Sequence, residues 1–296
     1  MNLKLPSKQD RHLLFGSVHP GEKTKPEKKE EMVDLQSQKK DFLFHIDQVG
    51  ICNLKVPVTI KSSLHPTNQG TIATFTLSSS LPRNQKGTNM SRFVELIEEY
   101  RLKGFTMEPA QLCQFVTDLS DRLGQNHVQL EVEFPWFFEK KSPSSRLTGL
   151  NHAMAKITVH QDAQNDYKIT VELSCMITTL CPCSKEISEY SAHNQRGNLR
   201  MSVDTTLLRD DWKEELLYAA ESNASACIYP LLKRPDEKVV TEKAYENPRF
   251  VEDMVRLVAA ELYEKDWVKR FTVQCRNEES IHLHDAVATL SYSKDQ

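Results

Sequence analysis

An alternation of apolar and polar side chains between Ile169 and Thr178 is the feature that most constrains the fold of this chain. Successive side chains of a strand point to opposite faces, so this period of two predicts a strand that is half buried in a sheet. Pro182 has no N–H to donate and therefore ends the ladder shortly afterwards. Cys181 and Cys183 consequently follow a strand end, where functional side chains commonly project.

Similar patterns along the chain give the order two strands, two helices, two strands, and this order occurs twice. Strands are predicted at 42–60, 71–80, 127–138, 151–160, 167–180, 198–207, 271–275 and 286–292; helices at 93–100, 109–123 and 212–232, and a last helix with Asn247 as its N-cap. The order predicts an α+β fold built from tandem ββααββ units, with helices packed on one face of antiparallel sheets.

Length and composition support two units of ordinary size. The chain has 296 residues, of which 39% are hydrophobic, enough for a sizeable core. Residues 1–40 are rich in Lys and Glu and contain three prolines, which predicts an irregular N-terminal arm. We therefore predict a first unit at 41–150 and a second unit at 151–296 that carries most site residues.

Charge and cysteine content narrow the class of protein. A net charge of −3 excludes a globally basic nucleic-acid-binding protein. There is no apolar leader and no uninterrupted apolar run of about 18 residues, which predicts a soluble cytoplasmic protein that does not enter a membrane. Seven cysteines in such a chain argue against a disulfide framework and for thiols used in the core, in metal binding or as nucleophiles.

Cys181, Cys183 and His193 place two thiols and an imidazole on one short segment, a mixture that suits a first-row divalent metal. The spacing of the cysteines is one residue shorter than C-x-x-C, and no second pair follows nearby. Half of a structural zinc site, two buried thiols and a redox pair therefore remain open alternatives. If one thiol binds metal, the other is free to act as acid, base or nucleophile, and Lys185 would favour its thiolate.

Other charged segments have a simpler and a functional interpretation. The run from Lys233 to Lys238 reads most simply as a solvated loop, although Glu237 could be an oxygen ligand to a metal. Glu252 suits the first turn of a helix, or it could accept two N–H bonds from a guanine or pterin edge. His282 and His284 either occur together by chance in a hairpin loop, or one of them is a metal ligand whose imidazole Asp285 orients.

Five motifs in chain order closely resemble the prokaryotic type IB GTP cyclohydrolase I family. They are TLCPCSKEIS at 179–188, SAHNQRG at 191–197, LKRPDE at 232–237, KAYENPRFVED at 243–253 and NEESIH at 277–282. The likeness extends through DFLF at 41–44 and NMSR at 89–92, and covers the chain from about Phe15 onward. The resemblance implies a tunnelling fold whose ββααββ units oligomerise into barrels, as a homotetramer or other homo-oligomer with active sites at interfaces.

The resemblance also implies an enzyme, a hydrolase that acts on a cyclic amidine C–N bond. Its reaction converts GTP and water to 7,8-dihydroneopterin triphosphate and formate, the first step of folate biosynthesis. The implied cofactor is a divalent metal ion, with zinc, manganese and iron all compatible with the donors. The alternatives are another tunnelling-fold enzyme that acts on a pterin or deazapurine, and a structural-zinc or redox-sensing protein.

The implied site residues fall into three groups. The metal ligands are Cys181, His193, Glu237 and His282, and Cys183 is the catalytic thiol. Glu279 and His284 are further candidates for proton transfer, and Glu252 would anchor the guanine edge. Candidates for binding the triphosphate are Lys185, Arg196, Lys233 and Arg234, with Lys243 and Arg249 as further basic candidates.

Overall fold

One antiparallel sheet of eight strands organises the chain, in a computed structural model that describes residues 5–18, 26–205 and 209–295. The strands lie in the sheet in chain order, with β1 at one edge and β8 at the other. They are β1 (Ile46–Lys61), β2 (Asn68–Leu81), β3 (Val128–Lys141), β4 (Thr148–Gln161), β5 (Tyr167–Leu180), β6 (Asn194–Thr205), β7 (Val268–Glu278) and β8 (Ala286–Ser293).

The helices lie in the connections of this sheet. They are α1 (Lys8–Leu14), α2 (Ser91–Leu102), α3 (Pro109–Leu123), α4 (Pro182–Ile187), α5 (Trp212–Asn223), α6 (Arg234–Glu246) and α7 (Val251–Tyr263). The order β1-β2-α2-α3-β3-β4 is followed by β5-β6-α5-α7-β7-β8, with α4 and α6 as additions. The predicted α+β fold and tandem ββααββ order are therefore confirmed. None of the described helices has the length and apolarity needed to cross a membrane.

The core lies between the helices and one face of the sheet. On β5 the alternate residues Leu173, Cys175 and Ile177 are buried, as the period of two predicted. In the first unit an aromatic cluster joins α2 and α3 to the sheet: the ring of Phe115 on α3 lies 5.0 Å from Tyr100 on α2 and 5.3 Å from Phe105. The ring of Phe105 in turn lies 5.5 Å from Phe75 on β2. Edge and offset contacts of this kind add to the burial of apolar area in holding a helix on a sheet.

Three local predictions need correction. The helix predicted from 212 to 232 ends at Asn223, and the charged run predicted as a loop forms the start of α6. Asn247 is not an N-cap; it is the C-cap of α6, and α7 begins at Val251. The Asp253 side chain accepts the N–H of Phe250 there (3.0 Å), so the cap comes from within the first turn.

The predicted segment boundaries can be compared with these elements. Residues 8–14 of the arm form α1, which has no buried side chain, while residues 1–4 and 19–25 lie outside the described residues. The end of the strand predicted at 198–207 also lies outside them, since the description stops at Thr205 and resumes at Arg209. The position between residues 150 and 151 falls within β4; we propose that the units divide after Gln161, which leaves β4 whole.

We expect Phe115→Ala to lower the free energy of unfolding by about 3–5 kcal/mol, because it leaves a cavity in a fully buried aromatic cluster. Urea denaturation followed by circular dichroism measures this change. The control is Leu102→Ala at the 75% exposed end of α2, which should stay close to the unsubstituted protein. Equal losses for both variants would contradict the placement of the core.

Candidate active site

The end of the β5–β6 ladder brings the first two predicted metal ligands together. Leu180 pairs with Asn194 as the last residues of the ladder, and the N–H of Cys181 donates to the carbonyl of His193 (3.1 Å). Cys181 is also the N-cap of α4, where its sulfur accepts the N–H of Ser184 (3.5 Å). Cys183 follows in the first turn of α4 and is exposed.

A buried glutamine orients the imidazole of His193. The amide nitrogen of Gln195 donates to the hydroxyl of Thr179 (3.0 Å), which leaves its amide oxygen to accept from Nδ1 of His193 (3.0 Å). Both partners of this bond to Thr179 are buried, so the bond holds the Gln195 side chain in place beside the ring. With the amide oxygen facing the ring, Nδ1 is the donor to it and Nε2 is left without this partner.

Glu279 lies beside the same ring. Its carboxylate is 4.0 Å from Nδ1 of His193, and both side chains are largely buried, at 13% and 16% exposure. The hydroxyl of Ser280 approaches Nδ1 to 3.5 Å. β7 ends at Glu278, next to Arg196 on β6, so the sheet delivers Glu279 to the end that carries Cys181. The carboxylate of Glu279 is therefore a direct neighbour of the imidazole of His193.

A small apolar cluster places the helix of Glu237 at the same end. Leu180, which precedes Cys181, packs with Ala226 and Ala244, and with the partly buried Ala192 and Val240. Ala192 precedes His193, and Val240 and Ala244 lie one and two turns after Glu237 on α6. Residues at such spacing share a helix face. The face of α6 that contacts the neighbours of Cys181 and His193 thus also carries Glu237, which is exposed.

Not all predicted residues converge within this chain. In the described ranges, no three or more His, Cys, Asp or Glu side chains lie close enough together to hold a metal ion. His282 and His284 are exposed and stack on each other, with ring centroids 4.9 Å apart. Glu252 is exposed in the first turn of α7. The roles predicted for these three side chains remain predictions.

The basic side chains predicted to bind the triphosphate differ in whether they already have hydrogen-bond or ion-pair partners. The ammonium group of Lys185 donates to the backbone carbonyl of Tyr245 (2.6 Å) and lies over the aromatic ring of the same residue, so Lys185 connects α4 to α6. Arg196, Lys233 and Arg234 are exposed, and their side chains have no hydrogen bond or ion pair with any described residue. Asp285 lies 3.6 Å from Arg276.

Sequence reasoning did not single out Gln195, although a signal for it exists. Gln195 belongs to the alternating set with Gly197 and Leu199, all of which are buried. A large polar residue on the buried face of a strand needs a hydrogen-bond partner and is often functional.

This fold and this end of the sheet define a class: a tandem ββααββ tunnelling-fold protein with thiol, imidazole and carboxylate side chains gathered after β5 and β6. A solved uricase from Arthrobacter globiformis superposes with a TM-score of 0.53 over 84% of this chain and 94% of that one. At 8% identity this likeness shows the fold alone.

The chain is much closer to a particular family. The family model of type I GTP cyclohydrolase FolE2 matches residues 32–288. The GTP cyclohydrolase FolE2 of Oceanobacillus iheyensis is 58% identical over 98% of both chains. That of Bacillus subtilis is 52% identical over 98% of this chain and 97% of the relative. The chain belongs to the type I GTP cyclohydrolase FolE2 family, as the five motifs predicted.

We expect His193 in the metal-free protein at pH 8 to carry its hydrogen on Nδ1, because Gln195 offers an acceptor there. Long-range ¹H–¹⁵N correlation of the ring nitrogens measures this assignment directly. Gln195→Ala removes the acceptor and should shift the population toward the Nε2–H form, whereas Gln274→Ala on an exposed part of β7 should not. An Nε2–H ring in the unsubstituted protein would refute the orientation.

Proposed function

We propose that this chain is a GTP cyclohydrolase I that hydrolyses GTP to 7,8-dihydroneopterin triphosphate and formate, the first step of folate biosynthesis. Family membership over residues 32–288 supports the reaction. The structural observation that carries the proposal is the cluster around Leu180, which gathers the neighbours of a thiol, an imidazole and a carboxylate at one sheet end. This donor set suits zinc, manganese or iron.

Cys181, His193 and Glu237 would hold the metal, with His282 as a further ligand. The chemistry of the donors fits, since a free cysteine, the Nε2 atom of an oriented imidazole and an exposed carboxylate are all available. A divalent ion bound there would lower the pKa of a water toward about 7 and stabilise developing negative charge. The chain's own residues supply the remaining steps.

Ring opening requires water to add to the carbon between the two imidazole nitrogens of guanine. Cys183 would carry a proton during this attack or during release of formate, since its thiol is exposed and lies two residues after Cys181 in the sequence. Glu279 beside His193 and, from the following loop, His284 are the groups proposed to exchange protons in the later rearrangement of the ribose.

Substrate binding would use one carboxylate for the base and several basic side chains for the triphosphate. Glu252 in the first turn of α7 would accept the two N–H groups at the guanine edge, which fixes the base by a bidentate contact. Arg196, Lys233 and Arg234 would meet the triphosphate, since their charges are uncompensated by any described residue. Lys185 would contribute only after releasing the carbonyl of Tyr245.

The active unit is proposed to be a cytoplasmic homo-oligomer, such as a homotetramer. In the described part of the chain, β1 and β8 are the outer strands of the sheet, and each has a strand neighbour on one side only, although a bridge from Thr59 to Thr106 covers part of the outer edge of β1. Such edges are suited to pairing with another copy. Near the candidate site the apolar side chains of Ile187, Tyr190 and Leu283 are more than 80% exposed. A neighbouring copy that covers them would also exclude water from the site.

An assay in which GTP is the only organic substrate distinguishes this function from the alternative functions. We expect the metal-free protein, supplied in turn with Zn²⁺, Mn²⁺ or Fe²⁺ and with GTP, to form a product that oxidises to a fluorescent pterin. An enzyme acting on a pterin or deazapurine would give no pterin from GTP, and a structural-zinc or redox protein would bind metal without turnover. Formate release in a 1:1 ratio to pterin checks the stoichiometry.

We expect Cys183→Ala to lower kcat for pterin formation by about 10²–10⁴-fold, the range for removal of a proton-transferring group. Metal content, measured by mass spectrometry, should stay unchanged because Cys181 is retained. Cys52→Ala, at an exposed cysteine on β1, is the control. Substantial turnover by Cys183→Ala would remove Cys183 from the chemistry.

A further inference from the structure

α6 carries Glu237 but has little apolar surface to hold it in place. Of its 13 residues only Asp236 and Ala244 are buried, whereas α7 is equally long and buries Val251, Met254, Val255, Val258, Ala259 and Leu262. Burying one alanine methyl contributes about 1 kcal/mol, too little to locate a helix on its own. Polar contacts must therefore fix the position of α6.

Asp236 supplies the strongest of these contacts. Its side chain is 0% exposed and accepts four hydrogen bonds. One oxygen accepts the N–H groups of Ser144 (2.8 Å) and Ser145 (2.7 Å), and the other accepts the Ser145 hydroxyl (2.6 Å) and the N–H of Lys233 (2.8 Å). The carboxylate thus caps α6 and at the same time ties it to the turn between β3 and β4.

That turn is itself well ordered. The hydroxyl of Ser142, which is fully buried, accepts the N–H of Leu147 (2.9 Å) and lies 2.8 Å from the hydroxyl of Ser145. Ser142 therefore donates to Ser145, which donates to Asp236, and every hydroxyl in the series has a defined direction. The α6 helix is fastened to a rigid part of the first ββααββ unit.

The charge on Asp236 is retained at neutral pH. Burial by itself would raise the pKa of this carboxyl, but the bonds from the hydroxyl and N–H of Ser145 and from the N–H groups of Lys233 and Ser144 hold the pKa well below its ordinary value. An ionised carboxylate accepts all four bonds, whereas a protonated one would have to turn a hydrogen toward a donor.

We propose that Asp236 is a positioning residue: by holding the first turn of α6 on the β3–β4 turn, it sets where the adjacent Glu237 meets the metal beside Cys181 and His193. This inference rests on the proposed function, in which Glu237 is a ligand. It assigns to the first unit a direct part in building a site whose ligands all come from the second unit.

Asp236→Asn tests the proposal with Mn²⁺ alone as the probe. An amide keeps one accepting oxygen and turns an NH₂ group toward two of the donors, so two of the four bonds are lost. We expect the Kd for Mn²⁺, measured by electron paramagnetic resonance, to rise about 10–100-fold, the usual effect of losing a group that orients a ligand. Ser145→Ala removes one of the four bonds to Asp236, together with the acceptor of the Ser142 hydroxyl, and should give a smaller rise in the same direction.

Glu214→Ala is the matched control. Glu214 on α5 makes the same kind of contact with the first unit: it accepts the hydroxyl of Ser62 (2.7 Å) and the N–H of Ser63 (2.8 Å) in the turn after β1. Its loss should lower the Tm without changing the Kd for Mn²⁺. If Asp236→Asn and Ser145→Ala also lower the Tm but leave the Kd unchanged, Asp236 is only structural and the proposal fails.

A double-mutant cycle identifies the group through which Asp236 acts. Glu237→Gln should weaken Mn²⁺ binding, and adding Asp236→Asn to it should cause little further loss, because both changes remove the same ligand. If Asp236→Asn raises the Kd for Mn²⁺ by the same factor in the unsubstituted protein and in the Glu237→Gln variant, the proposal is overturned. A Glu237→Gln variant with unchanged Mn²⁺ affinity would instead refute the proposed ligand set, and pterin formation from GTP by the unsubstituted protein tests the activity separately.

Discussion

The register of β5 against β6 is the constraint on which the candidate site depends. The ladder runs without a shift from Ile169 opposite Thr205 to Leu180 opposite Asn194. A slip of one residue would exchange the two faces of β6. Gln195 would leave the buried face, and His193 would lose the acceptor for its Nδ1 hydrogen. The apolar residues that bury this face therefore also set the direction of the His193 imidazole at the end of the ladder.

β4 and β5 separate toward one end of the sheet, and the chain segment between them leads α6 to the end of the β5–β6 ladder. β4 and β5 pair only from Gln161 opposite Tyr167 to Met154 opposite Ser174. Beyond these pairs, residues 224–231 lie between the two strands: Ala226 bridges to Thr178 on one side, and Asn151 donates to the carbonyl of Ile228 (2.8 Å) on the other. A Cβ at position 149 would lie 2.8 Å from Pro230, so glycine is needed for this close approach. The connection thereby delivers α6 to the end that carries Cys181.

Elements with local patterns were predictable from the sequence, and those fixed by distant partners were not. The predicted bounds of β5 (Tyr167–Leu180) and α3 (Pro109–Leu123) agree with the structure because each has an uninterrupted apolar period. α6 has no apolar stripe, so its charged start resembled a loop. In the site, the thiols and His193 were recognisable as motifs. The N–H donors that the Asp236 carboxylate accepts lie 91 and 92 residues away along the chain, a pairing that no local pattern reveals.

The proposed donors are held by two different kinds of force. Cys181 and His193 sit on a hydrogen-bonded ladder end backed by a large core, where a shift of either would disturb many buried contacts. Glu237 sits on a helix held by one carboxylate, one lysine contact and a small apolar cluster. Polar contacts of this number are directional but individually modest. The position of the Glu237 carboxylate therefore depends on a few directional contacts, among them those of Asp236, whereas the positions of the Cys181 thiol and the His193 imidazole depend on the ladder and the core.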